Sequence, residues 1–260
     1  MNLQLSGKRA VVTGASRGIG LAIARALAAE GTDLALVARD RTRLAGPAAE
    51  LADTADGSGR RVVAIACDTG DDRAVEEMAR TVEAELGGAD ILINCAAPGG
   101  AMGEDEFGEH LNVKAKGYLR CARALAPGMA QRGWGRIINI SGLNARSTGS
   151  VVGSVRNAAV AAITKNLADE YGAQGVNVTV VHPGLTRTES TVEWLTEMSE
   201  TDGVTLEEAE ASVTGGTTIG RIVTPEEVAA VVVFLASPLS VAITGDAIAA
   251  GGGVRGSIYY

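Results

Sequence analysis

The sequence has few aromatic residues and few cysteines. Phe, Trp and Tyr make up 3% of its 260 residues, so a core must be built from Ala, Val, Leu and Ile, with 34 glycines allowing close packing. The three cysteines, Cys67, Cys95 and Cys121, are an odd number without the spacing of a metal site, which argues against a disulfide framework. We expect buried free thiols in a reducing compartment, and no bound metal.

Long hydrophobic runs and basic tracts are also missing. No apolar run reaches the roughly 18 residues that cross a membrane, and the first residues, MNLQLSGKRAVVTGAS, lack the apolar stretch of a signal peptide. The net charge is -8, and the acidic residues are spread along the chain, which argues against nucleic acid as a partner. We expect a soluble, cytoplasmic protein that binds neither membrane nor nucleic acid.

What is present is a regular alternation of short apolar runs and longer helical patterns. Near-continuous apolar runs are typical of strands buried on both faces of a parallel sheet. Seven strands are predicted, at 9–14, 33–38, 61–67, 90–95, 135–141, 176–182 and 246–252. Helices are predicted between them, at 18–30, 40–55, 71–86, 112–131, 154–172 and 225–237. The alternation predicts an α/β fold, a doubly wound parallel sheet of about seven strands with helices on both faces, as a single domain over 1–260.

One acidic segment, 189–220, interrupts this alternation between the sixth strand and the last helix. Its pattern is helical in places, and it follows directly on the carboxyl end of a strand. Ligands of open α/β sheets bind beyond the carboxyl ends of the strands. We therefore expect a substrate lid at about 189–220; the alternative is a plain surface insertion.

A glycine-rich turn, TGASRGIG at 13–20, joins the first strand to the first helix. Gly14, Gly18 and Gly20 permit a tight turn and let the backbone approach a pyrophosphate, which the free N–H groups of a helix N-terminus bind. The spacing is G-x-x-x-G-x-G rather than the commoner G-x-G-x-x-G. The turn predicts a nucleotide site.

This glycine variant resembles that of the short-chain dehydrogenase/reductase family, and the resemblance continues along nearly the whole chain. CDTGD at 67–71, NCAA at 94–97, NVKAKGYLRCARALAP at 112–127, HPGLTRT at 182–188 and ITGDAIAAGGG at 243–253 are similar to family motifs in the family's order. The resemblance implies a Rossmann-type fold, with Asp68 on adenine. It implies cofactor contacts from Gly14, Ser16, Arg17, Gly18, Ile19, Gly20, Asp68, Thr69, Asn94, Ala96, Asn157, Pro183, Gly184, Thr186 and Thr188.

The end of the second strand favours NADP(H) over NAD(H). A carboxylate there would bind the ribose 2′-hydroxyl of NAD and repel a 2′-phosphate. This chain has Ala38 followed by Arg39, which leaves room for the phosphate and supplies a bidentate cation, and Arg17 and Arg41 add positive charge. The alternative is that Arg39 is a solvated surface residue.

The four catalytic positions that the family resemblance implies are all altered. The family has Asn, Ser, Tyr and Lys, and the matching positions here hold Lys114, Gly142, Gly153 and Asn157. Ser141 is the remaining hydroxyl, one position early. Because adjacent strand residues face opposite ways, we expect Ser141 to point away from the substrate unless the loop changes register.

Lysine and asparagine have in effect exchanged places between two of these positions. Hydride transfer to a carbonyl needs a proton source. We expect Lys114 to provide the charge or proton, with a pKa lowered by burial, while Asn157 binds the nicotinamide ribose. The alternative is a surface-facing Lys114 without a role. Further candidates are His182 as an acid, and Arg146 or Arg156 as a binder of a substrate carboxylate or phosphate.

Three functions remain open at this point. The first is an NADP(H)-dependent oxidoreductase that transfers hydride between carbonyl and alcohol of a small molecule, with catalysis by Lys114, Ser141 and Asn157. The second is a non-catalytic NADP(H)-binding protein, a sensor or partner subunit, and the third is a lyase or epimerase with tightly held cofactor. The resemblance further implies a homodimer or homotetramer, assembled through the helices at 112–131 and 154–172.

Overall fold

Seven parallel strands form one sheet in the order β3-β2-β1-β4-β5-β6-β7. The computed structural model describes residues 2–53, 59–98 and 103–255. The strands are β1 Arg9–Thr13, β2 Asp33–Ala38, β3 Val62–Ala66, β4 Ile91–Asn94, β5 Gly135–Ile140, β6 Val176–Pro183 and β7 Ala247–Ala250. The seven predicted strands are confirmed, with small changes at their ends. The strand order reverses between β1 and β4, which is where an open α/β sheet forms its ligand crevice.

Helices cover both faces of the sheet, as predicted. They are α1 Gly18–Ala29, α2 Thr42–Asp53, α3 Asp72–Leu86, α4 Phe107–His110, α5 Gly117–Gln131, α6 Val151–Tyr171, α7 Glu189–Asp202, α8 Leu206–Thr214 and α9 Pro225–Ala236. One apolar cluster packs α1 and α9 against the sheet, and a second packs α3, α5 and α6 against the opposite face. Short aliphatic side chains make up most of both clusters, in keeping with the low aromatic content.

The predicted helix at 112–131 is interrupted. A π-helical turn, Leu111–Lys116, separates α4 from α5. Such turns insert one residue into the helical repeat and change which side chains face a neighbouring element. Here the turn places Val113, Lys114 and Ala115 in the interior.

The predicted helix at 154–172 begins three residues earlier, at Val151. The reason is a cap that the prediction missed: Oγ of Ser150 accepts a hydrogen bond of 3.0 Å from the main-chain N of Gly153. Gly153 is therefore a buried residue of the first turn. At the other end α6 stops at Tyr171, one residue before the predicted end. Gly172, with φ -58, continues into a short 3₁₀ turn, and the left-handed residue is Gly175 with φ 83.

The observed starts of α2 and α9 can be compared with the predicted helices. The predicted helix at 40–55 is α2, which starts at Thr42; positions 54 and 55 lie outside the described residues. The helix predicted at 225–237 starts at Pro225, where a capping box precedes it: Oγ1 of Thr224 accepts from the main-chain N of Glu227, and the Glu227 carboxylate accepts from the main-chain N of Thr224. This box fixes the start of α9.

The segment 189–220 contains two helices that lie largely at the surface. Thr188 caps α7, and a capping box of Thr205 and Glu208 starts α8. Leu195 is the buried residue of α7 among its described side chains. None of the helices in the described ranges is long and apolar enough to cross a bilayer.

Candidate functional site

The glycine turn is drawn tightly against the residues that follow β4. Gly14 has φ 70, and a Cβ atom on it would lie 3.0 Å from main-chain atoms of Ala96, so a larger residue does not fit. A Cβ on Gly20 would clash with the carbonyl oxygen of Gly14. Oγ1 of Thr13 holds the two segments together by accepting hydrogen bonds from the main-chain N of Cys95 (3.0 Å) and of Ala96 (3.2 Å). The bare backbone can therefore approach a ligand closely.

The N-terminus of α1 fits a diphosphate. Arg17 occupies the N-cap position in an extended conformation and its side chain makes no capping bond, so the first N–H groups of the helix remain available. One carboxylate stands near them: Oε1 of the exposed Glu189 lies 3.5 Å from the main-chain N of Gly18. The donor set fits the anion, with Glu189 as a competitor for the same helix end.

The carboxyl end of β2 carries positive charge that no carboxylate in the described ranges pairs with. Arg39 and Arg41 are exposed and form no ion pair with the described residues. The neighbouring Asp40 accepts hydrogen bonds from Oγ1 (2.6 Å) and N (2.8 Å) of Thr42, which lower the pKa of its carboxyl. Asp40 is thus committed to the start of α2. At the adenine end, Oδ1 of the exposed Asp68 accepts from the N of Gly70, and Thr69 beside it is buried.

A cavity of about 570 Å³ opens at the carboxyl ends of β5 and β6. It brings together residues that are far apart in the sequence, from α1, the loop after β5, the start of α6 and the segment after β6. Its lining includes the predicted site residues Ile19, Ser141, Asn157, Pro183, Gly184, Thr186 and Thr188. It also includes Gly142, Leu143, Asn144, Arg146, Ser147, Arg156, Leu185, Thr191, Thr217, Gly251 and Val254. Hence the segment after β6 and two of the four altered positions, Gly142 and Asn157, face one space.

Lys114 lies in the interior behind this cavity. Its side chain is buried, and Nζ donates a hydrogen bond of 3.0 Å to the main-chain oxygen of Ser141, which lines the cavity. Burial, helped by the charge of Arg156, lowers the pKa of Lys114 to about 7. A surface-facing Lys114 is therefore excluded. Lys114 itself is not among the described residues that line the cavity.

Ser141 and Asn157 are joined by a hydrogen bond, and this bond uses the serine hydroxyl. Oγ of Ser141 donates to the main-chain oxygen of Asn157 at 3.1 Å, so the hydroxyl is directed toward α6. The Asn157 side chain is buried at the cavity wall, and its Oδ1 has no hydrogen-bond partner among the described residues. A Cβ on Gly142 would lie 2.9 Å from Nδ2 of Asn157. The amide thus fills the space beside the family's serine position.

The family's tyrosine position is closed as well. A Cβ on Gly153 would lie 2.9 Å from Nδ2 of Asn144 and 3.0 Å from Oγ of Ser150. No tyrosine of the described chain replaces it: Tyr118 is buried and donates to the oxygen of Ile140, and Tyr171 contacts Arg123. The remaining two, at 259 and 260, lie outside the described residues.

The two histidines have distinct places. His182 is buried, its Nδ1 lies 3.0 Å from the oxygen of Gly142, and burial lowers its pKa to about 4, so it stays neutral near pH 7 and is a poor acid there. His110, which sequence reasoning missed, is buried one turn before Lys114. Its Nδ1 accepts a hydrogen bond of 2.5 Å from Nη1 of Arg156. The i, i+4 spacing of His110 and Lys114 was the available signal.

The side chain of Asn94 belongs to a buried hydrogen-bond network. Its Nδ2 donates to Oδ1 of Asn139 (2.9 Å) and to the oxygen of Tyr118, and Asn139 in turn donates to Thr164. This buried network joins β4 and β5 to α5 and α6 below the site.

The sequence of this chain is similar to those of known reductases. A sequence profile described as enoyl-(acyl carrier protein) reductase matches residues 14–255. The chain is 38% identical to the short-chain reductase protein NovJ of Streptomyces niveus over 94% of this chain and 92% of that one. It is 32% identical to the 3-oxoacyl-(acyl-carrier-protein) reductase FabG of Vibrio harveyi over 97% and 99%.

Solved structures agree with the sequence relatives. The L-sorbose reductase of Gluconobacter frateurii, complexed with NADPH and L-sorbose, superimposes with a TM-score of 0.92 at 32% identity, over 99% of this chain and 100% of that one. An actinorhodin polyketide ketoreductase with NADPH superimposes with a TM-score of 0.87 at 30% identity, over 99% and 100%.

The fold and the glycine turn define a Rossmann-type protein, and the relatives that it matches are oxidoreductases. More narrowly, the chain belongs to the short-chain dehydrogenase/reductase family.

Proposed function

We propose that the protein is an NADP(H)-dependent oxidoreductase that interconverts a carbonyl and an alcohol of a small molecule, with Lys114 as its proton source. The observation that carries this proposal is the buried amine of Lys114. Its pKa of about 7 suits a group that gives and takes protons near neutrality, and it lies 3.0 Å from a main-chain atom of the cavity wall.

The glycine turn, the N-terminus of α1 and the segment 183–188 would hold the cofactor, which would supply the hydride. Arg39 supports NADP(H) over NAD(H), because its exposed guanidinium pairs with no carboxylate of the described chain and offers a bidentate partner for a 2′-phosphate. The nearby carboxylate of Asp40 is occupied by Thr42. A further support is that solved relatives contain NADPH.

Asn157 combines two tasks in this proposal. An amide has an acceptor and a donor. Oδ1 accepts from the nicotinamide ribose, replacing the family's lysine, and Nδ2, which lies beside the family's serine position, donates to the substrate oxygen. Ser141 contributes through its main chain, because its hydroxyl is used on the oxygen of Asn157.

Reduction of a carbonyl consumes one hydride and one proton. The Lys114 ammonium loses the proton, which passes to the substrate oxygen by way of the cavity, and the neutral amine is reprotonated from solvent. Oxidation runs in reverse, with the amine accepting the proton. Because Lys114 stands behind Ser141, the transfer includes a water between Nζ and the substrate.

The helices α7 and α8 follow the segment 183–188, and we propose that they form the substrate lid. Their largely exposed surfaces and the position of Thr188 and Thr191 in the cavity wall support this role. Assembly into a homodimer or homotetramer through α5 and α6 is also proposed. The exposed Val151 and Val155 on α6 support it, and light scattering measures it directly.

A non-catalytic NADP(H)-binding protein is the second candidate. It is favoured by the loss of the four family positions and by the absence of Lys114 from the described cavity lining. It binds cofactor without consuming it.

Oxidation of NADPH with a panel of aldehydes, ketones and keto acids distinguishes the two. Lys116 provides a matched control, since it lies two residues from Lys114 but is exposed. We expect turnover in the native protein and in Lys116→Met, and a loss of roughly a hundredfold or more in Lys114→Met with NADPH binding retained. Tight NADPH binding without turnover of any carbonyl supports the second candidate, and equal turnover in the two lysine variants contradicts the role of Lys114.

A further inference from the structure

The cavity is positively charged in a protein whose net charge is -8. Among its described lining residues are Arg146 and Arg156 and no Asp or Glu. The charge of Lys114 stands behind the same wall. Such a contrast between a cavity and the rest of the surface favours an anionic ligand.

Arg156 is the better placed of the two arginines. Nη2 of Arg146 already donates to the main-chain oxygen of Ala247 at 3.0 Å, and Arg146 is exposed in the loop after β5. Arg156 projects from the second turn of α6, where it is half-buried and adjacent in sequence to Asn157.

Within the described part of the chain, no carboxylate balances the positive charge of Arg156. No Asp or Glu of the described residues forms an ion pair with it, and its Nε is buried without a hydrogen-bond partner. Its hydrogen bond to Nδ1 of His110 gives no compensation, because an imidazole ring supplies no negative charge. Burial accordingly lowers the pKa of Arg156, and its charge lowers that of Lys114. An uncompensated charge in a partly dry wall is costly, and a bound anion offsets that cost.

The phosphates of the cofactor do not provide this anion. The diphosphate fits the N-terminus of α1, and the 2′-phosphate fits Arg39 at the end of β2, whereas Arg156 shares its wall with Gly142, Asn144 and Ser147. This is the side of the cavity that faces the altered catalytic positions, where the substrate is expected.

We propose that the substrate is a keto acid, or the corresponding hydroxy acid, whose carboxylate binds Arg156 while its carbonyl oxygen binds Nδ2 of Asn157. A planar guanidinium matches a carboxylate in two parallel hydrogen bonds. Arg156 and Asn157 are consecutive residues of one helix, so the carboxylate and the reacting carbonyl of the substrate are close neighbours. This inference rests on the proposed function and names its substrate class.

Pairs of substrates that differ only in charge test it. Benzoylformate is compared with methyl benzoylformate, and acetoacetate with methyl acetoacetate, in the presence of NADPH. We expect kcat/KM to be roughly ten- to a hundredfold higher for each acid than for its ester. In Arg156→Met this preference disappears through a higher KM for the acids, so that the acid-to-ester ratio of kcat/KM falls to about one, while NADPH binding is retained. Arg80→Met, at an exposed position of α3, keeps the preference.

Binding separates a failure of this inference from a failure of the proposed function. Thermal stabilisation by mandelate and by methyl mandelate is measured with NADP bound, where no turnover is needed. We expect stabilisation by the acid alone, and its loss in Arg156→Met; if that variant does not fold, the native acid-to-ester ratio and Arg156→Lys carry the test. Equal effects of acid and ester overturn the inference. The inference is also overturned if the preference for dihydroxyacetone phosphate over dihydroxyacetone exceeds the preference for the acids over their esters. That result would assign a phosphate to the site instead.

Discussion

The side-chain amide of Asn157 stands directly beside Gly142, so close that a Cβ on this glycine would lie 2.9 Å from Nδ2. Two positions that are separate in the family's catalytic set are therefore a complementary pair in this chain. A substitution at Gly142 or at Asn157 therefore affects the other residue. Neither position can be changed back to the family's residue without moving the side chain at the other.

Gly142→Ser is expected to lower the free energy of unfolding by about 1 kcal/mol, because the end of the Asn157 side chain must give way to the new Cβ. Asn157→Ala removes the obstacle, so the double variant should lose less than the sum of the two single changes. Chemical denaturation of the four proteins measures this coupling. Strict additivity would show that Asn157 does not occupy the space beside Gly142.

Lys114 should make both stability and turnover depend on pH. Its pKa is about 7 in the folded protein and 10.5 in the unfolded chain, so between these values only the unfolded chain holds the proton. The free energy of unfolding contributed by this group therefore rises with pH across that window, and is lowest below about pH 7. Urea denaturation between pH 7 and 9 should show a slope that Lys114→Met reduces.

The rate of turnover should also depend on pH through Lys114. Carbonyl reduction needs the ammonium, so its rate should fall as the pH rises through about 7, while alcohol oxidation should gain over the same range. Lys116→Met keeps the native pH profile. A profile unchanged by Lys114→Met would remove Lys114 from the proton path.

Arg39 should decide between the two nicotinamide cofactors. Arg39→Ala is expected to weaken NADPH binding by roughly ten- to a hundredfold, because a charge-assisted pair with the 2′-phosphate is lost, and to leave NADH binding nearly unchanged. Arg43→Ala is the matched control, since Arg43 is exposed on α2 and faces Asp40. Fluorescence titration measures both affinities. Equal weakening in the two variants would indicate a general electrostatic effect rather than a phosphate contact.

Glu189 should oppose cofactor binding. Its carboxylate lies 3.5 Å from the main-chain N of Gly18, at the helix end that the diphosphate requires. Glu189→Gln removes the like charge and should tighten NADPH binding several-fold, an effect that weakens at high salt. Glu193→Gln, an exposed position one turn further along α7, should leave the affinity unchanged. A loss of affinity in Glu189→Gln would mean that the carboxylate supports the site.

The fold was predictable because burial on both faces leaves a strong pattern in the sequence. Strands such as Asp33–Ala38 are apolar throughout, and the helices between them are longer and periodic. Helix ends were less accessible, since the start of α6 depends on one hydroxyl, that of Ser150, and the π turn at Leu111–Lys116 has no simple sequence signal.

The site was predictable where it follows from local sequence. The glycine turn is of this kind, whereas the burial of Lys114 was expected from the family resemblance and depends on the π turn. The contact between His110 and Arg156, and the approach of Asn157 to Gly142, depend on how α4 and α6 meet the end of β5. Such contacts join residues 15 to 46 positions apart, and only the tertiary structure brings them together.

The bonds at the end of β5 give the cavity a rigid back wall. Nζ of Lys114 is bound to the oxygen of Ser141, and the hydroxyl of Ser141 is bound to the oxygen of Asn157. Three elements, the π turn, β5 and α6, are thereby joined by buried polar bonds, which resist separation because each broken one leaves an unsatisfied group.

The side of the cavity at α7 is held less firmly, because α7 is anchored through Leu195 and is otherwise largely exposed. The side at β5 and α6 is therefore rigid, and the side at α7 is flexible. Local opening of α7 should cost the least free energy. Amide hydrogens of α7 should exchange with solvent well before those of α6, which identifies the side from which a ligand enters and leaves.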